Sequence, residues 1–210
     1  MGGSGAISGL KKIQDEYDKS GFNEKAFEKS LSGIISKNIN LDYEVGYCID
    51  LDGNIIGKPS IGVSDEILTM SDTTDKISVH NHPKGVLGLD GGPISDGDIG
   101  WSINHNEYMT VAFDQHRIYS IRKINWQAGQ RNRSLRFAEE YRDAIQRFHD
   151  KATQKATDKA DDGYFDKNGR TDWDKYTKYL RATWYHSLRV WLRNNAKYYG
   201  YEYKERMIAR

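Results

Sequence analysis

One stretch of the sequence, residues 77–98, constrains this chain more than any other. It reads ISVHNHPKGVLGLDGGPISDGD and begins with a β-rich run that carries two histidines at alternate positions, His80 and His82. Alternate side chains of an extended segment point the same way, so the two imidazoles can share one face. A proline ends the run, a glycine-rich loop follows, and the Ser-Asp-Gly-Asp at 95–98 opens a predicted helix.

This stretch also contains a set of metal-ligand side chains. Two imidazoles and the Asp98 carboxylate are a standard ligand set for Zn²⁺, and three protein ligands leave a fourth position for water. Ser95 and Asp98 equally fit a capping box at the start of a helix, which needs no metal. The two interpretations are compatible, because a cap can fix the helix end while the carboxylate reaches an ion. Beside the two histidines we favour ligation, so the sequence predicts a zinc site formed by His80, His82 and Asp98.

The composition indicates the class of protein. The chain has 210 residues, a net charge of +1, 37% hydrophobic residues and a mean hydropathy of −0.80, as expected of a soluble globular protein. Cys48 is the single cysteine, so a reducing compartment is expected and no intrachain disulfide can form. We find neither a secretory signal nor an apolar run of the roughly 18 residues that span a bilayer. The sequence therefore predicts a cytoplasmic protein with no membrane partner.

The charge is distributed unevenly along the chain. Residues 1–120 carry 10 Lys and Arg against 18 Asp and Glu, whereas residues 121–210 carry 21 against 12. This asymmetry suggests that opposite halves help each other to dock, and nucleic-acid binding by the basic half is a second interpretation. We predict an N-terminal tail and helix over 1–21, a mixed α/β unit over 22–125 and a basic, aromatic-rich helical extension over 126–210.

Hydrophobic periodicity and turn residues predict the elements. Strands are predicted over 42–50, from 55 after a turn at 51–54, and over 76–81. A hairpin is predicted from 108–113 with 117–121, and 60–70 contains a further short apolar stretch. Predicted helices cover 10–20, 23–37 after an Asn23 cap, from 95 to about 104, 132–160 and 171–199. The aromatic stripe of the last helix indicates a packing surface. The link between the last two helices does not have the ligand spacing of an EF-hand.

Hydrolysis at a zinc site also needs a proton shuttle that is not itself a ligand. Glu44 is the best candidate, because it shares a strand face with Gly46 and Cys48, whose small side chains leave space beside it. The alternative is a solvent-facing glutamate on an alternating strand. Glu66 is the second choice for the shuttle.

Taken together, Glu44, the His-Asn-His-Pro at 80–83 and the Ser-Asp-Gly-Asp at 95–98 resemble the JAMM motif, E…HxHP…SxxD, of the JAB/MPN family. The sequence of the motif is particularly similar to those of bacterial and phage JAB domains and RadC-like proteins. The resemblance covers about residues 22–125. It implies an α/β (α+β) fold with a curved mixed sheet flanked by helices. It also implies Zn²⁺ on His80, His82 and Asp98, Glu44 as general acid/base and Ser95 as an oxyanion donor.

The resemblance implies a zinc-dependent peptidase or isopeptidase that acts on a protein or peptide, with ubiquitin-like modifiers among the partners. The alternative is a non-proteolytic, zinc-containing module from a phage or mobile element. It would bind a protein, or a nucleic acid through the basic C-terminal helices. One departure from the family is the loop at 84–93, which is longer than usual. Its four glycines predict a permissive, mobile loop.

Overall fold

The computed structural model describes residues 21–62, 72–83, 91–124, 130–167 and 170–208. This part of the chain contains four α-helices, eight β-strands and one 3₁₀ helix. The helices are α1 (Glu24–Asn38), α2 (Asp96–Asn104), α3 (Gln130–Asp161) and α4 (Trp173–Asn195), followed by the 3₁₀ helix (Ala196–Tyr199). The strands are β1 (Val45–Ile49), β2 (Ile55–Ile61), β3 (Ile77–Asn81), β4 (Met109–Phe113), β5 (Arg117–Lys123), β6 (Asp166–Lys167), β7 (Arg170–Thr171) and β8 (Tyr201–Met207).

Six of the strands form one mixed sheet in the order β2-β1-β3-β4-β5-β8. Only the central β3–β4 pair of this sheet is parallel. Parallel neighbours need a crossover connection, and α2 is the helix of that crossover. The mixed sheet with flanking helices confirms the predicted α+β class. The chain leaves the end of β3 and returns through α2, which places the two parts of the sequence motif close together.

Helix α1 covers one face of the sheet. Asn23 caps it as predicted, since its side-chain oxygen accepts a hydrogen bond from Ala26 N at 3.1 Å. The apolar residues of α1 and of strands β1, β3, β4 and β5 form a buried cluster on this side, which includes Leu31, Val79 and Val111.

Helices α2, α3 and α4 cover the opposite face. Their cluster combines residues from before and after residue 125, including Ile99 of α2, Ile121 of β5, Tyr141 of α3 and Leu192 of α4. The aromatic residues of α4 pack as predicted, because Trp184 Nε1 donates to the Ile145 carbonyl at 3.1 Å. This face buries the larger share of the aromatic side chains.

Most predicted elements are present with small changes at their ends. The strand predicted over 42–50 is β1 and starts three residues later, and the turn at 51–54 leads into β2 as expected. The hairpin turn after β4 is held by Asp114, whose Oδ1 accepts from His116 N and Arg117 N at 2.8 and 2.7 Å. The last predicted helix ends as a 3₁₀ turn, and its link from α3 contains the short β6–β7 hairpin.

The C-terminal segment departs from the prediction. The sequence predicts only helices after residue 125, whereas Tyr201–Met207 forms β8 at the edge of the main sheet, antiparallel to β5. Its alternating aromatic and charged residues lie half buried, which is typical of an edge strand. Two large apolar residues within the predicted helices are also exposed, Leu135 by 46% and Trp173 by 67%. The division at residue 125 remains a prediction, with one sheet extending across it.

Several predictions lie outside the described residues. These are the helix over 10–20, most of the apolar stretch at 60–70 with Glu66, and residues 84–90 of the glycine-rich loop.

Candidate metal centre

The two histidines lie at the carboxyl end of β3, in the middle of the sheet. His80 is within the strand, His82 follows it, and both are buried. His80 pairs with Gly46 of β1 on one side and with Ala112 of β4 on the other. These small neighbours leave room for the imidazoles on one face of the sheet. The two Nε2 atoms are 3.0 Å apart, with the ring planes inclined by 54°.

Asp98 reaches this point from the first turn of α2. Its Oδ1 lies 3.1 Å from His80 Nε2, and its Oδ2 lies 3.5 Å from His82 Nε2. It is also a helix cap, because Oδ2 accepts from Ser95 N at 2.7 Å while Asp98 N donates to Ser95 Oγ at 3.1 Å. The capping and ligand interpretations of the sequence are therefore both compatible with this geometry. The cap holds the carboxylate towards the histidines.

The geometry of the cluster suits a metal ion. One ligand atom from each of His80, His82 and Asp98 lies within 4.8 Å of the others. In a tetrahedral zinc site, two nitrogens at normal Zn–N distances are about 3.3 Å apart, close to the separation of the two Nε2 atoms. Two imidazole lone pairs at this distance repel each other unless a proton or a cation lies between them. This His-His-Asp group could hold a metal ion.

The charges within the cluster favour a cation. Burial raises the pKa of the Asp98 carboxyl, but the charges and hydrogen bonds of His80 and His82 hold that pKa well below its usual range. Burial lowers the pKa of His82, but the hydrogen bond to Asp98, the negative charges of Asp98 and Glu44 and the Gly92 carbonyl together raise it to about 9. In the metal-free protein, a proton on His82 therefore provides the positive charge that these groups stabilise.

Glu44 lies where the sequence predicts, immediately before β1. It is about nine-tenths buried, and its charge stabilises protonated His82. The interpretation of Glu44 as a fully solvent-facing strand residue is therefore wrong. Its carbonyl also accepts a hydrogen bond from Gly62 N at 2.9 Å, next to the end of β2.

Sequence reasoning missed Asn81, which lies between the two histidines. Its Oδ1 accepts from Val45 N at 2.7 Å and its Nδ2 donates to the Tyr43 carbonyl at 2.9 Å. These two hydrogen bonds lie on either side of Glu44 in the sequence and fix its backbone to the end of β3. The signal that could have identified it is an amide side chain in a central strand, where a buried polar group needs hydrogen-bond partners.

Ser95 has two hydrogen bonds to one partner. Its Oγ accepts from Asp98 N and donates to Asp98 Oδ2 at 2.8 Å. The serine therefore lies beside the candidate ligand, and its backbone nitrogen donates to the same Asp98 oxygen at 2.7 Å.

A second buried acid, Glu107, lies behind the cluster and was also missed. Ser78 Oγ donates to its Oε2 at 2.7 Å, and Thr110 Oγ1 donates to the same oxygen. Ser78 is two residues before His80 on the strand, so the two side chains share a face. The carboxyl is close enough for the charge of His80 to affect its pKa.

The C-terminal helices also contact the segment that carries Ser95 and Asp98. Tyr141 of α3 donates to the Ile94 carbonyl at 2.9 Å, and Arg142 forms an ion pair with Asp96 at 2.6 Å. This second contact joins a basic residue of the C-terminal half to an acidic residue of the N-terminal half. It agrees with the interpretation that the two halves help each other to dock.

The prediction of a permissive, mobile loop must be corrected at Gly91 and Gly92. A Cβ atom built on Gly91 would lie 2.4 Å from His82 Cβ, and one on Gly92 would lie 2.8 Å from Tyr185 Cζ. Gly91 is constrained by the closeness of the His82 backbone, and Gly92 by its φ of +93° together with the Tyr185 ring. Close packing explains why glycine occupies these two positions, whereas the sequence predicted a mobile loop there.

Two further findings concern the chain as a whole. Within the described residues, every helix is too short or too polar to cross a membrane. Comparisons of the chain with protein-family models, with curated proteins and with solved structures found no match.

Proposed function

We propose that this protein is a zinc-dependent peptidase or isopeptidase of the JAB/MPN type. The observation that supports the proposal is the meeting of His80, His82 and Asp98, whose ligand atoms lie within 4.8 Å of one another at a buried strand end. Their order and spacing follow the JAMM motif. Imidazole and carboxylate ligands in this number suit Zn²⁺ with one position left for water.

When bound, Zn²⁺ supplies a Lewis acid and a water of lowered pKa. His80, His82 and Asp98 would hold the ion, while the contacts of Asp98 Oδ2 with Ser95 would keep the carboxylate in place. Glu44 would take a proton from the attacking water and pass it to the leaving amine. Ser95 Oγ, which now donates to Asp98 Oδ2, would be the hydrogen-bond donor to the oxyanion.

The proposed substrate is a protein or peptide, and a ubiquitin-like modifier attached through an amide bond is one candidate. The proposed setting is the cytoplasm of a bacterium or of a phage-infected cell. The single cysteine of the chain, Cys48, is buried and free, which fits a reducing compartment.

The non-proteolytic alternative has less support. Binding of single-stranded nucleic acid uses exposed aromatic rings on which the bases stack. Trp184 and Trp191 of α4 pack against α3, where Trp191 stacks with Tyr141 at a centroid distance of 5.3 Å, and only Trp173 at the start of the helix is largely exposed among these three. The buried Glu44 beside the histidines is better explained by chemistry at the cluster.

Metal content is the first test. Purified protein loaded with zinc and then dialysed should hold one Zn²⁺ per chain by elemental analysis, and His82→Ala should lose it. His149→Ala is the matched control, because His149 lies on α3 with a half-exposed side chain outside the cluster. Zinc below stoichiometric amounts in the wild type would disprove the metal centre.

Hydrolysis is the second test. Zinc-loaded wild type should cleave members of a panel of peptide and modifier-linked substrates. Glu44→Gln should bind zinc as well as the wild type does and lose at least about a hundredfold in rate, the lower range for a general acid–base group. Equal rates in the two proteins would remove Glu44 from the mechanism.

A further inference from the structure

Residues 91–94 run through a narrow space between His82 and helix α4. On one side, the absent side chain of Gly91 lets the backbone lie against the Cβ and carbonyl of His82. On the other side, the ring of Tyr185 occupies the position that a side chain on Gly92 would fill. The order across this region is therefore histidine, glycine backbone, tyrosine ring.

The backbone in this space has a direct contact with the imidazole of His82. The Gly92 carbonyl lies 3.0 Å from His82 Nδ1. Because a carbonyl oxygen can only accept, Nδ1 must carry the hydrogen, which leaves Nε2 facing His80 and Asp98. A metal-binding histidine is oriented in this way by the partner of its other ring nitrogen.

Gly92 can make this contact only in an unusual conformation. Its φ is +93°, a region that residues with a Cβ rarely adopt. The described neighbours keep the segment in place. Tyr185 lies against it from α4, and Tyr141 of α3 binds the Ile94 carbonyl two residues later.

We propose that Tyr185 is a positioning residue for the metal centre. This proposal rests on the zinc site proposed above and adds to that site a residue of helix α4, far along the chain from the motif. The ring of Tyr185 presses residues 91–94 onto His82, so that the Gly92 carbonyl holds the imidazole with Nε2 aimed at the ion. The C-terminal extension is thereby part of the metal centre.

Removing the ring should weaken metal binding. Without it, residues 91–94 can move into the vacated space, the Gly92 carbonyl can leave Nδ1, and the imidazole can turn. Loss of an outer contact to a metal ligand typically costs 10–100-fold in affinity. We expect zinc binding to Tyr185→Ala to be weaker by about tenfold or more.

A matched set of tyrosine variants tests this expectation. Tyr179→Ala removes the same side chain from the same helix, where the ring contacts Phe165 at the end of the α3–α4 pair. Tyr185→Phe keeps the ring. Zinc affinity would be measured by competition with a chromophoric chelator, and the stability of the metal-free proteins by urea unfolding.

The expected pattern separates positioning from general destabilisation. Tyr185→Ala and Tyr179→Ala should both lose stability, but only Tyr185→Ala should lose zinc affinity. Tyr185→Phe should bind zinc more tightly than Tyr185→Ala, because the ring stays in place. Cobalt-substituted Tyr185→Ala should show shifted visible absorption bands, because the ligand geometry changes. Equal affinities of Tyr185→Ala and wild type, or equal losses in both alanine variants, would overturn the proposal.

A double-mutant cycle with Gly92→Ala tests the contact itself. In the wild-type background the new Cβ meets both the strained φ and the Tyr185 ring, whereas in Tyr185→Ala only the strain remains. Gly92→Ala should therefore cost more zinc affinity in the wild type than in Tyr185→Ala. Equal costs would show that the ring does not press on Gly92. A wild type that binds no zinc would overturn the metal centre, which distinguishes that failure from failure of the Tyr185 proposal alone.

Discussion

Glu107 is a carboxylate buried in the middle of the protein, and it influences stability as a function of pH. Burial raises the pKa of its carboxyl above the ordinary value of 4.5, although hydrogen bonds from Thr110, Thr73 and Ser78 oppose the rise. A raised pKa means that the folded state binds this proton more tightly than the unfolded state does. Stability therefore falls as the pH increases from about 4.5 through the higher pKa of the folded state.

Glu107→Gln should remove this pH-dependent cost. The variant of the metal-free protein should be more stable than the wild type at pH 7. The advantage should shrink as the pH falls and disappear below about 4.5, where the carboxyl is protonated in both states. Urea unfolding from pH 4 to 8 measures this difference. Glu139→Gln, at an exposed position on α3, is the control and should show no such pH dependence. If Glu107→Gln gained as much stability at pH 4 as at pH 7, the prediction would be wrong.

At the scale of single residues, the sequence identified the side chains whose chemistry and spacing are both distinctive. His80, His82 and Asp98 follow a pattern that needs no knowledge of distant contacts. Asn81 and Glu107 could not be assigned, because Asn81 accepts from a backbone nitrogen 36 residues away and Glu107 accepts from Ser78, 29 residues away in the sequence. The same holds for Gly92, which combines a φ of +93° with a close contact to Tyr185 of α4.

At the scale of elements, the β1–β2 turn and helix α1 are packed against each other. Gly53 of the turn has a φ of +86°, and a Cβ there would lie 2.6 Å from the carbonyl carbon of Ala26 in α1. Ser30 of the same helix donates to the Gly53 carbonyl at 2.6 Å. The turn therefore needs glycine for its own conformation and for the approach of the helix.

Two glycine substitutions in this region should have opposite effects. Gly53→Ala should destabilise the protein by about 2 kcal/mol or more, because it adds strain at a positive φ to a clash with backbone atoms. Gly33 lies at an exposed position inside α1, where an added Cβ would meet no atom of another part of the protein within 4 Å. Gly33→Ala should therefore stabilise the protein by about 0.5–1 kcal/mol. Thermal unfolding measures both. A neutral Gly53→Ala variant would mean that the turn can separate from α1.

Elements with a strong local pattern could be predicted from the sequence, and the others could not. Helix α2 begins at the Ser95 cap, and β4 and β5 are joined at Asp114, so each of these boundaries has a local signal. Strand β8 has no comparable signal. Its alternating charged residues resemble those of an exposed segment until β5 provides the pairing partner.

At the scale of the whole molecule, the C-terminal half completes the hydrophobic core of the N-terminal half. Helices α3 and α4 cover Ile94, Ile99, Tyr119 and Ile121, all of which are almost fully buried. Burying one such side chain contributes about 1.5–3 kcal/mol, and a protein is typically stable by only 5–15 kcal/mol. Exposing several of them together would remove most of that stability.

A chain that stops after residue 125 should therefore fail to form a cooperative fold. We expect it to lack near-ultraviolet circular dichroism and a sharp thermal transition, because the face of the sheet opposite α1 loses its cover. A chain that stops after residue 208 keeps β8 and should behave as the full protein does. A truncated chain that melts cooperatively and takes up one zinc would instead support the division predicted at residue 125.

The position of Tyr185 also has a consequence for the order in which the protein is made. Asp98, the last of the three candidate ligands, precedes Tyr185 by 87 residues. At a synthesis rate of 5–20 residues per second, this separation corresponds to roughly 4–17 s. During that time the ribosome has already produced the two histidines and the aspartate, but not yet the tyrosine that contacts Gly92. A growing chain thus has an interval in which an ion can reach the ligands before the C-terminal helices close over them.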